Sequence, residues 1–521
     1  MNIRPSLLAS LIASAFTLPA AQAQTFLPGN LIVSRTVYAG TAATVAVGQT
    51  LASGKAAVAD GSFPNVFKNE VPDPSFGVSS AIYLDQVSRS GSTISTLAID
   101  PALATTSFAS KSELALNLTP DGKAVTFMGY KSPVNALDVS NSNTAAVFDN
   151  TNPVASTAAR AVVQVSLATG AVQSTAVNAY SGNNGRAAVL ANGSYYMVGN
   201  SGNGSGNGAS LSQLSDNSGV QRIAVGSSGA TTAVGVAIGT NGSSTGYQRG
   251  FSVANALSPS GAVQAADKTG KDDNFRGMTV FDNTLFVTKG SGSNGVNTVY
   301  QVGATHALAA GGTIADAPIT ILPGFNTLSE KTAEAKATLT ATPHPFGLWF
   351  ANSTTLFVAD EGDGVRTGVA GKVTTFAGLQ EWTLSGGTWH NVATFQKGLL
   401  DQAAYLEGGG ATWNVSTDGL RNISGQVNAN GSFTIYGTTS TVSEELTHDL
   451  GADRNEIVAI TIGAGSTASN TSFSVLETAA AGQRFGGVAL AVPEPETYAM
   501  MLAGLAALGL VKRRRDTAPR A

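Results

Sequence analysis

The strongest constraint on the fold is a four-strand unit that recurs along the chain and is broken at both ends. Phe275-Arg276-Gly277-Met278-Thr279-Val280 is followed by Asn283-Thr284-Leu285-Phe286-Val287-Thr288. Pro345-Phe346-Gly347-Leu348-Trp349-Phe350 is followed by Thr354-Thr355-Leu356-Phe357-Val358-Ala359. Leu420-Arg421-Asn422-Ile423 is followed by Ser432-Phe433-Thr434-Ile435-Tyr436, and Arg484-Phe485-Gly486-Gly487-Val488-Ala489 opens a fourth unit that goes no further. The openings are spaced about 65 to 75 residues apart. A second hairpin follows each complete opening pair: Thr298–Val302 with Ile319–Ile321, Leu379–Leu384 with Val392–Phe395, and Glu456–Ile460 with Phe473–Leu476. Short alternating runs bounded by Gly, Asn, Asp and Ser read as strands. Four such strands per repeat, several repeats in a row, is the pattern of a β-propeller blade.

The first half carries the unit more loosely, in Leu114–Met128 with Ala161–Thr175 and in Ala187–Val198 with Val220–Val234. The two ends complete each other. Arg484–Leu490 is an opening strand without a successor, and Leu31–Arg35 is a second strand without an opening, continued by Ala81–Val87 and Thr93–Ile99. An open ring would leave unpaired edges that invite aggregation. The expected fold is therefore all-β: a single propeller of six four-stranded blades, closed by pairing Phe485–Leu490 with Leu31–Arg35. A seventh blade is expected if Gly235–Ala265 holds one. Gly199–Gly208, Ala39–Pro74 and Tyr130–Ala159 read as surface excursions and insertions.

Composition agrees with sheet. The chain has 60 glycines, and only 12% of its residues are charged. It contains no cysteine, which excludes disulfides, Cys-based zinc sites and thiol catalysis. Of its 29 basic and 33 acidic residues, six basic and three acidic lie in the terminal segments, leaving a body near −7. A mildly acidic body without a basic cluster argues against a nucleic-acid partner.

Both termini carry delivery signals. A basic Asn2-Ile3-Arg4, an apolar Leu7–Leu18 and the small-residue site Ala21-Gln22-Ala23 form a secretory leader, with the mature chain starting at Gln24. At the other end, Val492-Pro493-Glu494-Pro495-Glu496-Thr497 precedes an apolar run, Tyr498–Val511, and then Lys512-Arg513-Arg514-Arg515. A helix of about fourteen residues spans roughly 21 Å, short of the ~30 Å hydrocarbon core. That length suits a transient anchor, and the basic cluster should stay on the cytoplasmic side. The organisation is thus 1–23 leader, 24–491 propeller body and 492–521 sorting segment with a short hydrophobic helix.

The segment Val492–Ala521 resembles the PEP-CTERM sorting signal of Gram-negative bacteria, through Pro493-Glu494-Pro495, the apolar run and the arginine cluster. The resemblance implies passage through a Sec-type export machinery, transient insertion in the inner membrane, and processing by a membrane-embedded exosortase. It implies a final place at the cell surface or in the extracellular matrix. The body resembles exported bacterial propeller proteins that carry this tail, through its Leu-Phe-Val strands and Gly182-Asn183-Asn184-Gly185-Arg186. That second resemblance carries over no catalytic residue.

Few residues announce chemistry. The serine elbow, the P-loop and H-E-x-x-H are absent. Gly290-Ser291-Gly292-Ser293-Asn294-Gly295 matches G-x-G-x-x-G, but a strand follows it where a dinucleotide site needs a helix. It reads as a hairpin loop. Asp360-Glu361-Gly362-Asp363-Gly364 gathers three carboxylates after a strand and is a candidate calcium turn, with Asp360, Glu361 and Asp363 as ligands. No other cofactor is expected. The histidines are His306, His344, His390 and His448, of which His344 precedes a blade opening and can face the central channel. Trp349, Trp382, Trp389 and Trp413 read as packing residues rather than a sugar platform.

These observations favour an exported binding or structural propeller with a polysaccharide or surface partner over an enzyme. The alternatives are a hydrolase or lyase on the same scaffold, whose site residues would be scattered in sequence, and an ice- or polysaccharide-associated protein. A flat ice-binding solenoid needs shorter repeats. A channel mouth of Asp, Glu, His and Arg would point to the enzyme, and one of Ser, Asn and Gly to binding. The intact mass of the exported protein is expected to lack Met1–Ala23 and most of the chain after Val492. A product that keeps Lys512-Arg513-Arg514-Arg515 would instead mark a permanent anchor.

Overall fold

A computed structural model describes residues 25–491 apart from internal stretches, the longest being 59–76, 203–215, 249–272, 309–317, 330–340, 365–375 and 444–452. The leader, Gln24, the sorting segment with its hydrophobic helix, Asp272 and His448 lie outside the described residues.

The strands form six sheets, each with a four-stranded antiparallel core; three of the sheets carry additional strands, and one core is completed by the two ends of the chain. Blade one takes Gln483–Leu490, Leu31–Val37, Ser79–Val87 and Thr93–Ala98. Blade two holds Asn117–Leu118, Ala124–Tyr130, Arg160–Ser166 and Val172–Val177. Blade three holds Gly185–Ala191, Ser194–Gly199, Gly219–Ala224 and Thr232–Ala233. Blade four holds Met278–Phe281, Thr284–Lys289, Thr298–Val302 and Pro318–Ile321. Blade five holds Pro345–Asn352, Thr355–Asp360, Gly378–Ser385 and Thr388–Phe395. Blade six holds Thr412–Val427, Phe433–Ser443, Glu456–Ile462 and Ser474–Thr478, with Gln402–Leu406 added beside the first. The first strands touch their neighbours in a closed cycle around the axis.

Strand alternation explains why the blades pack as they do. Successive side chains in a strand point to opposite faces, and in a ring both faces meet another blade. Leu285 and Val287 therefore pack toward Tyr196 and Val198 of blade three, while Phe286 between them packs on Leu356, Val358 and Trp382 of blade five. Phe357 repeats the pattern, turning to Ile435 and Val458 of blade six. Both faces being apolar, the Leu-Phe-Val runs are continuous rather than alternating. Trp382 and Trp389 lie in the cluster between blades four and five, and Trp349 packs against the one between five and six, the packing role expected of them.

No seventh blade is present among the described residues. Val236–Thr240 and Ser243–Gln248 form a hairpin that extends blade four, Val236 and Ala237 pairing in parallel with Pro318 and Ile319.

The ends close as expected. Leu31 pairs with Leu490, Val33 with Val488, and Arg35 with Phe485, with a register shift after Ser34 that accommodates Gly486 as an extra residue. A side chain at Gly486 would meet Leu114 Cβ at 2.4 Å, so the bulge needs glycine there. The Asn422 side chain ties the seam to the ring: its Oδ1 accepts from Val488 N at 2.6 Å and its Nδ2 donates to Leu116 O at 3.3 Å. Deleting Gln483–Leu490 from the mature body removes these bonds and, with Phe485, Val488 and Leu490, a third of the buried residues of one interblade cluster. Its thermal unfolding is expected at a lower temperature for the entire ring, whereas an unchanged cooperative transition would show that the seam is dispensable.

Candidate functional site

In an antiparallel pair the start of the first strand and the end of the second lie at the same end. The openings of the first strands and the turns after the second strands therefore converge on one mouth of the ring. Four of the openings carry arginine, and three of these arginines face the mouth. Arg186 stands at the start of Gly185–Ala191, Arg276 just before Met278–Phe281, and Arg421 within Thr412–Val427. All three line one cavity of about 470 Å³, with His344, Glu361, Asp363, Asp418, Ser112, Asn183, Asn184, Ser291 and Thr441. Five blades contribute. Arg484, at the matching opening of blade one, turns away and donates through Nη1 to the carbonyl of Ser110.

Each cavity arginine is held differently. Arg421 Nε donates to Glu361 Oε2 at 3.1 Å, an ion pair with side chains 6% and 14% exposed. Arg276 donates through Nε and Nη2 to the hydroxyl of Ser291, the Nε bond being 2.7 Å. Arg186 donates through Nε to Ser112 Oγ at 3.2 Å and through Nη1 to Phe275 O at 3.1 Å. Burial lowers the guanidinium pKa of Arg186 well below its ordinary value, and the nearby charge of Arg276 adds to this. Burial lowers Arg276 as well; Glu361 opposes that shift and Arg421 reinforces it.

The acidic turn behaves as two opposed carboxylates. Burial pushes Asp360 up to about 6, against the pull of His344 and of backbone donors. Its Oδ1 accepts from Gly362 N at 3.0 Å, and its Oδ2 from His344 N at 2.7 Å and Gln380 Nε2 at 3.2 Å. Burial would raise Glu361 too, but Arg276, Arg421 and His344 together hold it below the usual range.

The residues of the candidate calcium turn thus face N–H donors. Both Asp360 oxygens and Glu361 Oε2 are engaged, two guanidiniums already supply positive charge beside Glu361, and exposed Asp363 lines the cavity. Among the described residues no group of three or more His, Asp or Glu is placed to hold a metal ion. The donor set suits an anion better than a cation.

The glycine-rich loop is a hairpin connection, as expected. Lys289, fully buried, donates from Nζ to Ser291 O at 2.9 Å, Gly292 O at 3.2 Å and Asn297 Oδ1 at 2.7 Å. It pins the turn that carries Ser291, the anchor of Arg276. His344 alone of the described histidines lines the cavity. His306 is exposed beside Asp282, and His390 is exposed on an outer strand. The arginines were visible in the sequence as markers of the repeat; the signal for a site was that a charged residue recurred where a strand begins at the axis.

Residues 491–515 match the PEP-CTERM protein-sorting motif. With the six-bladed ring, this defines the class: a β-propeller exported under an exosortase-read sorting signal. No curated protein matches the chain. Among solved structures it is similar to the soluble aldose sugar dehydrogenase of Escherichia coli, at 12% identity over 71% of this chain and 94% of that one, with a TM-score of 0.34. An ulvan lyase of a polysaccharide lyase family is similar at 8% identity over 79% and 83%, TM-score 0.31. The acylaminoacyl peptidase of Pyrococcus horikoshii is similar at 6% identity over 69% and 47%, TM-score 0.27. At these scores the likenesses carry no argument about this chain. Among the described residues no helix is long and apolar enough to cross a membrane.

Asp360 and Glu361 should bend stability against pH in opposite senses. The raised Asp360 binds its proton more tightly when folded, so its contribution is present at low pH and lost as pH rises from about 4 to about 6. The lowered Glu361 contributes above the ordinary glutamate range and loses that contribution as pH falls through its folded value. Thermal unfolding from pH 3 to 7 should show Asp360→Asn removing a decline toward neutrality and Glu361→Gln removing a decline toward acid. Parallel curves for the wild type and both variants would show that neither carboxyl is perturbed.

Proposed function

We propose that this exported propeller is a binding protein of the cell surface or extracellular matrix that takes its ligand at the mouth of the ring. One observation carries the reading: side chains from five blades converge on a single polar cavity, and part of their hydrogen-bonding capacity is not used by the described protein. Rigid blades fix these groups in advance, which lowers the ordering cost of binding. The sorting tail supports delivery outside the cell, with the export machinery and exosortase as partners in transit and the apolar run as a transient membrane anchor. A surface polysaccharide is the partner the polar lining suits, because Asn183, Asn184 and Thr441 offer uncharged contacts beside the charged ones.

A hydrolase or lyase is the second reading, favoured by the meeting of His344, Glu361, Asp363 and Asp418 with three arginines. Titratable groups gathered in a cleft are the raw material of acid–base catalysis. The closed ring of four-stranded blades is not the flat, short-repeat solenoid that ice binding would use.

The test is retention of the producing cells' extracellular polysaccharide by the mature ring. The double variant Glu361→Gln/Arg421→Gln removes both partners of the buried pair, so neither charge is stranded. Its affinity is expected to fall at least about tenfold, with cooperative unfolding kept. Equal retention by both proteins would overturn the binding site. Release of shortened or unsaturated chains by the wild type would replace binding with catalysis.

A further inference from the structure

We infer that Arg186 and Arg276 form a seat for an oxyanion carried on a hydroxylated ligand, which makes the ligand an acidic saccharide. This deepens the proposed function and rests on the cavity being the binding site.

The chain itself shows how it treats an arginine that is purely structural. Arg160 is fully buried and commits every nitrogen. Nε and Nη2 reach Asn183 O, Nη1 reaches Ala158 O at 2.7 Å, and Nη2 reaches the carbonyls of Ser140 and Ser142, each at 2.9 Å. Arg186 is almost as buried, at 4% exposure, yet its Nη2 has no partner among the described residues. The same holds for Nη1 of Arg276. Both side chains line the cavity.

The anchors matter as much as the open donors. Arg421 is matched by a carboxylate, but Arg186 and Arg276 are held by hydroxyls and a carbonyl, which fix direction without neutralising charge. Two guanidiniums near enough to feel each other are costly to keep together; Glu361 offsets part of that charge but is itself paired with Arg421, so a further anion would lower the cost. A planar or tetrahedral oxyanion answers both forks with charge-assisted hydrogen bonds. The rest of the wall selects against a second negative charge. Asp363, Asp418 and Glu361 would repel it, while they and the Asn side chains accept from hydroxyls. One oxyanion on a polyhydroxylated body satisfies both halves of the cavity. A uronate carboxylate and a sulfate ester share that chemistry.

Calorimetric titration of the mature ring with three probes separates the sources: a neutral oligosaccharide carrying a single uronate, its methyl ester, and the same oligosaccharide carrying a single sulfate ester. At least one acidic probe is expected to bind, and the methyl ester to bind about ten- to hundredfold more weakly than the free acid if the carboxylate is the source. Arg276→Met and Arg186→Met should each weaken the acidic probe by a similar factor, and Arg276→Lys should restore part of the loss. Arg276→Met touches only the Ser291 anchor, so it remains informative if Arg186→Met fails to fold. If these variants bind the acidic probe as the wild type does, while Glu361→Gln/Arg421→Gln still loses it, the cavity reading stands and the oxyanion seat is wrong. If no probe binds and the cells' own polysaccharide is also ignored, both fall.

Discussion

Backbone contact at the axis is the constraint on which the rest of the ring depends. A Cβ on Gly277 would lie 1.8 Å from the carbonyl oxygen of Phe346, and one on Gly347 would lie 2.5 Å from that of Arg421. First strands of successive blades therefore touch main chain to main chain, which only glycine permits at such separations. Asn422 bridges two further first strands at the same level. The packing that forbids a methyl group at Gly277 is the packing that brings Arg186, Arg276 and Arg421 into one cavity.

Buried charge in this protein falls into two kinds. Arg160 and Glu113 are saturated. Glu113 accepts from Thr106 Oγ1 at 2.7 Å, Ser107 N at 2.9 Å, Asn184 Nδ2 at 3.3 Å and the hydroxyl of Tyr130. Arg160 ties the insertion after Tyr130 to the chain entering blade three, Glu113 ties Thr106 and Ser107 to Tyr130 and Asn184, and a fully satisfied network in a low dielectric makes the arrangement specific. The cavity groups are of the other kind, anchored but incompletely matched. Arg160 and Arg186 show the contrast within one chain: the first commits every nitrogen, and the second leaves Nη2 without a partner among the described residues.

The blades, their order and the closing pair were legible because they are written locally, in alternating runs and in two half-units at the ends. The hairpin of Val236–Thr240 and Ser243–Gln248 was not legible as part of blade four, since its parallel pairing with Pro318–Ile321 spans about eighty residues and leaves no periodic mark. The site was half legible. Asp360–Gly364 stands out as a carboxylate cluster, but three carboxylates in four residues do not disclose that their neighbours are arginines from other blades. Arg276 and Arg421 stand in the openings of the repeat, and only the ring brings them together. His344, singled out for its position before an opening strand, does reach the cavity.

One feature of the seam reaches beyond the ring. Ala491 N donates to Asn30 O at 3.0 Å, and Gly29 N donates to Ala491 O at 2.7 Å, so the last described residue is stitched to the turn that leads into Leu31–Val37. Only six residues lie between Ala491 and Tyr498, where the apolar run begins, which makes seven Cα steps. Even fully extended they reach at most about 25 Å. A pull on that run would be felt within about 25 Å by the zipper that keeps the circle shut.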